Sequence, residues 1–190
     1  MNKLNRAIIV FVLLLPIVVL AQSAESRSDK PVFEGKTTLL KPEGYREWIF
    51  VGSSLGLAYS QTPGQGQGRN PELYHNVYIN PSSYREYART GKFPDGTMMV
   101  LELARSEVKT EPGLQGSYQK DFVALEASVK DSTRFEGGWA YFNFTEGGGK
   151  LKAKAEPFPQ NACWSCHHVN AMTDHVFTQF YPVLRAVAPK

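Results

Sequence analysis

Cysteine is scarce in this chain: two thiols in 190 residues, Cys163 and Cys166. That excludes a small domain stapled by disulfides. An excess of charge of one sign is also missing. Lysine and arginine number 21 against 18 acids, a formal net charge of +3. Lys3 and Arg6 fall within residues 1–24 and no acid does, so the remainder carries only +1. Such a balance has no basic footprint of the kind nucleic acid selects, and no nucleic-acid partner is expected. No internal repeat is present. After residue 21 there is no long apolar run either. What remains, 42% hydrophobic and 12% aromatic, is an ordinary globular composition with enough apolar side chains for one core.

The one long apolar run, Ala7 to Ala21, follows "MNKLNR" with its Lys3 and Arg6 and precedes the small and polar "QSAES". This order of charged, apolar and small segments is that of a secretory signal. The run is about 15 residues and contains Pro16, short of the roughly 20 that a membrane span needs. Ala21 and Ser23 allow cleavage, so residues 1–24 are expected to be a signal peptide and 25–190 an exported, periplasmic domain. No cysteine follows the run to carry a lipid anchor.

Within 25–190, "KPEGYREWIFVG" offers a short helix start, with Tyr45, Trp48 and Ile49 at helical spacing. "QTPGQGQGRNPE" (61–72) is a loop. "LYHNVYI" (73–79) reads as a strand. "NPSSYREYARTG" is a helix with Asn80 as cap, Pro81 in its first turn and Gly91 at its exit. After the turn "FPDGT", "MMVLELA" (98–104) reads as a strand, and "TEPGLQGS" as a loop. "DFVALEASVKD" (121–131) and "GGWAYFNFT" (137–145) look like further strands, the first also compatible with a helix. "HVFTQFYPVLRAVA" is apolar at helical spacing until Pro182. The fold class expected is α+β, mainly antiparallel sheet with a few helices and a C-terminal helix carrying the motif described next.

"NACWSCHHVN" holds both cysteines and two of the four histidines. A structural zinc site needs more thiols or a histidine pair at ligand spacing, and His75 and His175 complete it poorly. A redox dithiol needs a thioredoxin-like alternation of strands and helices, which is missing. A disulfide across two residues closes a tiny loop and gains little. C-x-x-C-H as the attachment signature of c-type haem uses every residue. Cys163 and Cys166 would form thioethers to the porphyrin, and His167 would be the proximal ligand of the iron. Downstream lie only Met172 and His175, on the same short segment, so neither is expected to reach the other face of the haem. His75, Met98 or Met99 would have to supply a sixth ligand from strands where packing is their ordinary role. An open sixth position follows, suited to a small ligand.

"GYREWIFVG", "HNVYINPSSYREY", "TGKFPDGTMMVLEL", "DFVALEASVKDSTRF", "GGWAYF" and "FPQNACWSCHHVNAMTDHVFTQFYPVLR" together resemble the cytochrome P-460 family from about Val32 to Ala188. The resemblance implies a mainly β fold around one five-coordinate c-type haem, often in a homodimer. It implies one of two activities. Cytochromes P-460 proper oxidise hydroxylamine through a lysine bonded to the porphyrin, and pass electrons to a soluble redox partner. Cytochromes c′-β lack that bond and bind nitric oxide.

The oxidising members carry the lysine in a V-K-E stretch after the F-P-D-G-T turn; this chain reads Val100-Leu101-Glu102. Leu101 cannot make the cross-link, and Lys92 and Lys109 would need a shifted register. The resemblance therefore points to the cytochrome c′-β branch. Strand alternation puts Met99 and Leu103 on the side of Leu101, an apolar distal wall that suits small neutral gaseous ligands. Glu126 matches a carboxylate that aids proton transfer in the oxidising members. His75 matches a position where some members have an arginine near the haem. The expected function is binding of nitric oxide or a similar small gaseous or nitrogenous ligand. Hydroxylamine oxidation with Glu126 as proton acceptor is the alternative, and simple electron transfer the third.

Overall fold

The computed structural model describes residues 28–58 and 72–189. The expected signal segment 1–24 and all but the last residue of the loop 61–72 lie outside the described residues. Eight strands and three α-helices follow in chain order: β1 (Phe33–Glu34), β2 (Thr38–Leu40), β3 (Ile49–Leu55), β4 (Leu73–Ile79), α1 (Pro81–Thr90), β5 (Met98–Lys109), β6 (Gly116–Lys130), β7 (Trp139–Asn143), β8 (Lys154–Ala155), α2 (Trp164–Asn170) and α3 (Pro182–Val187). β3 to β7 form a five-stranded antiparallel meander in sequence order, and β1, β2 and β8 a small second sheet. The fold is α+β and mainly antiparallel sheet.

Alternation along the strands divides the core in two. Met98 and Val100 of β5, Leu125 and Ala127 of β6 and Phe142 of β7 face the small sheet, meeting Leu39 and Ala155. Met99, Val77, Ile79, Trp139 and Tyr141 point to the opposite face, where they meet Tyr87 of α1, Leu184 of α3 and Val176 from the segment before α3. The large sheet is thus a central layer covered on both sides. β7 is buried at Trp139, Ala140, Tyr141 and Phe142 in succession for that reason.

β4 and α1 have the bounds that composition and capping residues imply. Gly91 ends α1 at φ 71, with its N–H on Tyr87 O at 2.7 Å. Asn80 stands at the cap position, but its side chain does other work. Oδ1 accepts from the Met98 N–H at 2.8 Å and Nδ2 donates to Gly96 O at 3.1 Å, tying the helix start to the start of β5.

Three expectations are corrected. The helix start at 42–49 is a single 3-10 turn, Tyr45–Glu47, followed by β3. "IFVGSSL" hid this strand because glycine and serine dilute its signal and a register shift between Phe50 and Gly52 breaks its alternation. β5 and β6 outrun their apolar stretches, to 12 and 15 residues, because "TEPGLQGS" is the loop of one long hairpin. The C-terminal apolar segment is not a continuous helix: a tight turn at Asp174 and His175, a 3-10 turn at Thr178–Phe180 and a restart at Pro182 divide it.

Candidate haem site

α2 begins as the chain leaves Cys163, so the two thiols lie one helical turn apart and His167 follows on that turn. Both cysteines are free and partly exposed. The helix is short, and its placement comes from side chains at its start. The Trp164 indole N–H donates to Gly137 O at 3.2 Å. Gly137, at φ 75, lies so close that a Cβ there would sit 2.5 Å from Trp164 Nε1. Glycine at this position lets the motif dock on the turn between β6 and β7.

The His167 ring lies between two aromatic rings, Tyr141 at 4.4 Å and Phe177 at 4.6 Å between centroids. Its Nδ1 is 2.8 Å from the backbone carbonyl of His175. A carbonyl only accepts, so Nδ1 carries the proton and the neutral ring has its lone pair on Nε2. Burial holds the His167 pKa below the usual histidine value, the His175 carbonyl acting against this, so the ring is neutral at pH 7. His168 is exposed and stacks on Trp164 at 4.5 Å.

The remaining candidates come from the sheet. Register places Val77, Leu101, Glu126 and Asn143 in one row across β4 to β7, with His75, Leu103 and Ala124 in the row beside it. Side chains of a row share a face, and this is the face that Cys163 and Trp164 pack against. Leu101, Glu126 and His75 are half-buried. Met99, one row below, is 5% exposed within the core under Val176 and Leu184. Leu101 therefore stands at the upper border of that core, with Met99 as its floor.

Burial raises the Glu126 carboxyl above the usual glutamate value. Burial also raises the Cys163 thiol, with the Glu126 charge as the next cause. A group carried on Cys163 would thus lie near the Glu126 carboxylate.

These residues fit a haem. Two thiols and an imidazole occupy one turn, the imidazole is in the tautomer that binds metal through Nε2, and the half-buried Leu101 and Glu126 lie on the sheet face toward them. Sequence reasoning did not find Gly137, Tyr141 or Phe177. Tyr141 was within reach of it, since β7 alternation puts its side chain on the face of Glu126. A helix that presents thiols and a neutral imidazole to a β-sheet defines a haem-binding cytochrome of sheet architecture. The chain belongs to the cytochrome P460 family, whose model matches residues 42–178. No curated protein matches it.

Proposed function

We propose that the chain is an exported, periplasmic cytochrome with one covalently held c-type haem, five-coordinate through His167, that binds nitric oxide in the manner of the cytochromes c′-β. Leu101 carries this reading. It holds the place of the cross-linking lysine of the hydroxylamine-oxidising members, and it has no nitrogen with which to make that bond. Its half-buried side chain stands between Val77 and Glu126 in register. Cys163 and Cys166 hold the porphyrin, and His167 supplies Nε2. Bound haem supplies an iron that takes a diatomic ligand. Leu101 restricts the space beside that ligand and offers no hydrogen-bond donor to a developing charge, which favours neutral gases.

A specific observation supports hydroxylamine oxidation as the second reading: the half-buried Glu126 carboxyl, raised by burial above the usual glutamate value, on the face of Leu101. A soluble electron-accepting partner belongs to that reading.

A homodimer is also proposed. The outer part of the β5–β6 hairpin extends beyond the sheet as a ribbon, with Leu114 91% and Val108 63% exposed, and a second copy would cover it.

The test is the absorption spectrum of the reduced, purified protein, alone and with nitric oxide. An ordinary high-spin c-type Soret band that shifts with nitric oxide is expected. A Soret band far to the red would indicate a cross-link through another lysine, such as Lys92 or Lys109, and overturn the reading in favour of the second. A low-spin spectrum indifferent to nitric oxide would favour electron transfer.

A further inference from the structure

We propose that Asp174 is a positioning residue for the haem ligand, acting through the main chain of its neighbour His175. The proposal rests on His167 being the iron ligand. Thr173 and Val176 face each other across a two-residue turn, with the Val176 N–H on Thr173 O at 2.8 Å and the Thr173 N–H on Val176 O at 3.3 Å. The two residues between them, Asp174 at φ 43 and His175 at φ 63, are both left-handed. Asparagine, aspartate or glycine usually fills the first place of such a turn and glycine the second, which is His175 here. Without that glycine, this backbone persists only where its surroundings enforce it.

The Asp174 side chain supplies that enforcement. Its Oδ2 accepts from Lys130 Nζ at 2.7 Å and its Oδ1 from Trp139 Nε1 at 3.1 Å. Lys130 is itself held, since Nζ also donates to Phe93 O at 2.8 Å. Lys130 and Trp139 are paired in register across β6 and β7, so the large sheet grips the turn from two strands. The gripped turn aims the His175 carbonyl at His167 Nδ1, eight residues earlier. Local helix geometry cannot set a bond across that separation. A hydrogen bond of this kind fixes the tautomer and orientation of a metal-binding imidazole and makes it a stronger donor. Asp174 thereby sets how strongly His167 binds iron while touching neither the iron nor the ring.

Resonance Raman of the reduced holoprotein, which reads the iron–histidine stretching band, tests this alongside the midpoint potential. Asp174→Ala removes both contacts and places alanine in a left-handed position. The band is expected to shift down and broaden, and the potential to shift upward, because a weaker donor disfavours the ferric state. Asp174→Asn tolerates the backbone and keeps an acceptor for Trp139, and is expected to fall between alanine and wild type. A band and potential at wild-type values in Asp174→Ala would overturn the proposal. Should that chain fail to fold or load haem, Lys130→Met and Trp139→Phe each remove one contact from a different strand. The same downward shift is expected in both, and wild-type bands in both would overturn the proposal. A wild-type holoprotein without an iron–histidine band would overturn the five-coordinate, His167-ligated iron on which the proposal rests, a result distinct from an unshifted band in the variants.

Discussion

Leu101 of β5 and Glu126 of β6 stand directly opposite each other in antiparallel register. Side chains so paired share one face, with Cβ atoms about 5 Å apart. An apolar residue and a half-buried acid are thus adjacent on the face that Cys163 and Trp164 pack against. Under the two proposed readings each would act by a different means: Leu101 by volume, Glu126 by its proton.

Leu101→Ala should widen the space beside the iron without unfolding the chain, since Leu101 is only half-buried. Under the nitric-oxide reading, carbon monoxide association with the reduced protein is expected to accelerate by about tenfold, about 1.4 kcal/mol of barrier. Flash photolysis measures it. An unchanged rate would place the ligand elsewhere than beside Leu101.

Glu126→Gln should stabilise the protein in a pH-dependent way. Burial raises the folded-state pKa of Glu126, so the folded chain holds this proton to a higher pH than the unfolded chain does. Stability conferred by that proton is present below the ordinary glutamate value and is lost as pH rises through the raised one. Glutamine removes the penalty of the buried charge. The variant is expected to melt above wild type at about pH 8 and to converge with it near about pH 4, close to the unperturbed carboxyl value. Equal melting temperatures at both would show that Glu126 is not held in its neutral form.

Gly137→Ala tests the docking of the motif. The new Cβ would meet Trp164 Nε1 at 2.5 Å, and the residue would have to keep φ 75. Left-handed strain and the displaced indole together should destabilise by about 2 kcal/mol, several degrees of melting temperature. Haem content per chain should fall with it. Normal loading in a destabilised protein would separate the glycine from the site.

Cys163→Ser and Cys166→Ser should each leave one thioether, and the double variant none. Haem staining after denaturing electrophoresis reads this directly. Retained haem in the double variant would exclude thioether attachment through the motif.

Leu114→Asp bears on the homodimer. At 91% exposure the side chain makes almost no contact within its own chain, so folding should be unaffected. Sedimentation should show a shift from dimer to monomer. A wild-type protein that sediments as a monomer at all concentrations would leave the ribbon with no second copy.

Much of the fold was legible because several elements carry their own punctuation. β4 is a run of aromatic and β-branched residues, and α1 has proline at its start and glycine at its end. β3 was not legible, since its two serines dilute strand propensity and its glycine serves close packing instead. Gly52 would place a Cβ 3.2 Å from Pro182, so the strand carries glycine where α3 crosses it. At the site, C-x-x-C-H singled out three residues that the structure gathers on one helical turn, and strand alternation grouped Leu101 with Met99 and Leu103. The Asp174–His175 turn left no trace in "MTDHVF", because its conformation is imposed from Lys130 and Trp139, some 35 to 44 residues away.

The bulges in the β5–β6 hairpin have a mechanical consequence. Register shifts fall between Leu103 and Ala104 and between Ala104 and Ser106, where the paired strands leave the packed sheet. Below them, Met98 to Val100 are clamped between two cores; beyond them, the ribbon is a bare pair of strands with little to resist its bending. The row of His75, Leu103 and Ala124 sits at this junction. The surface facing the motif therefore has unequal support: a floor at Met99 enclosed in the core, and a half-buried border at Leu103, the last full rung before the paired strands leave the sheet.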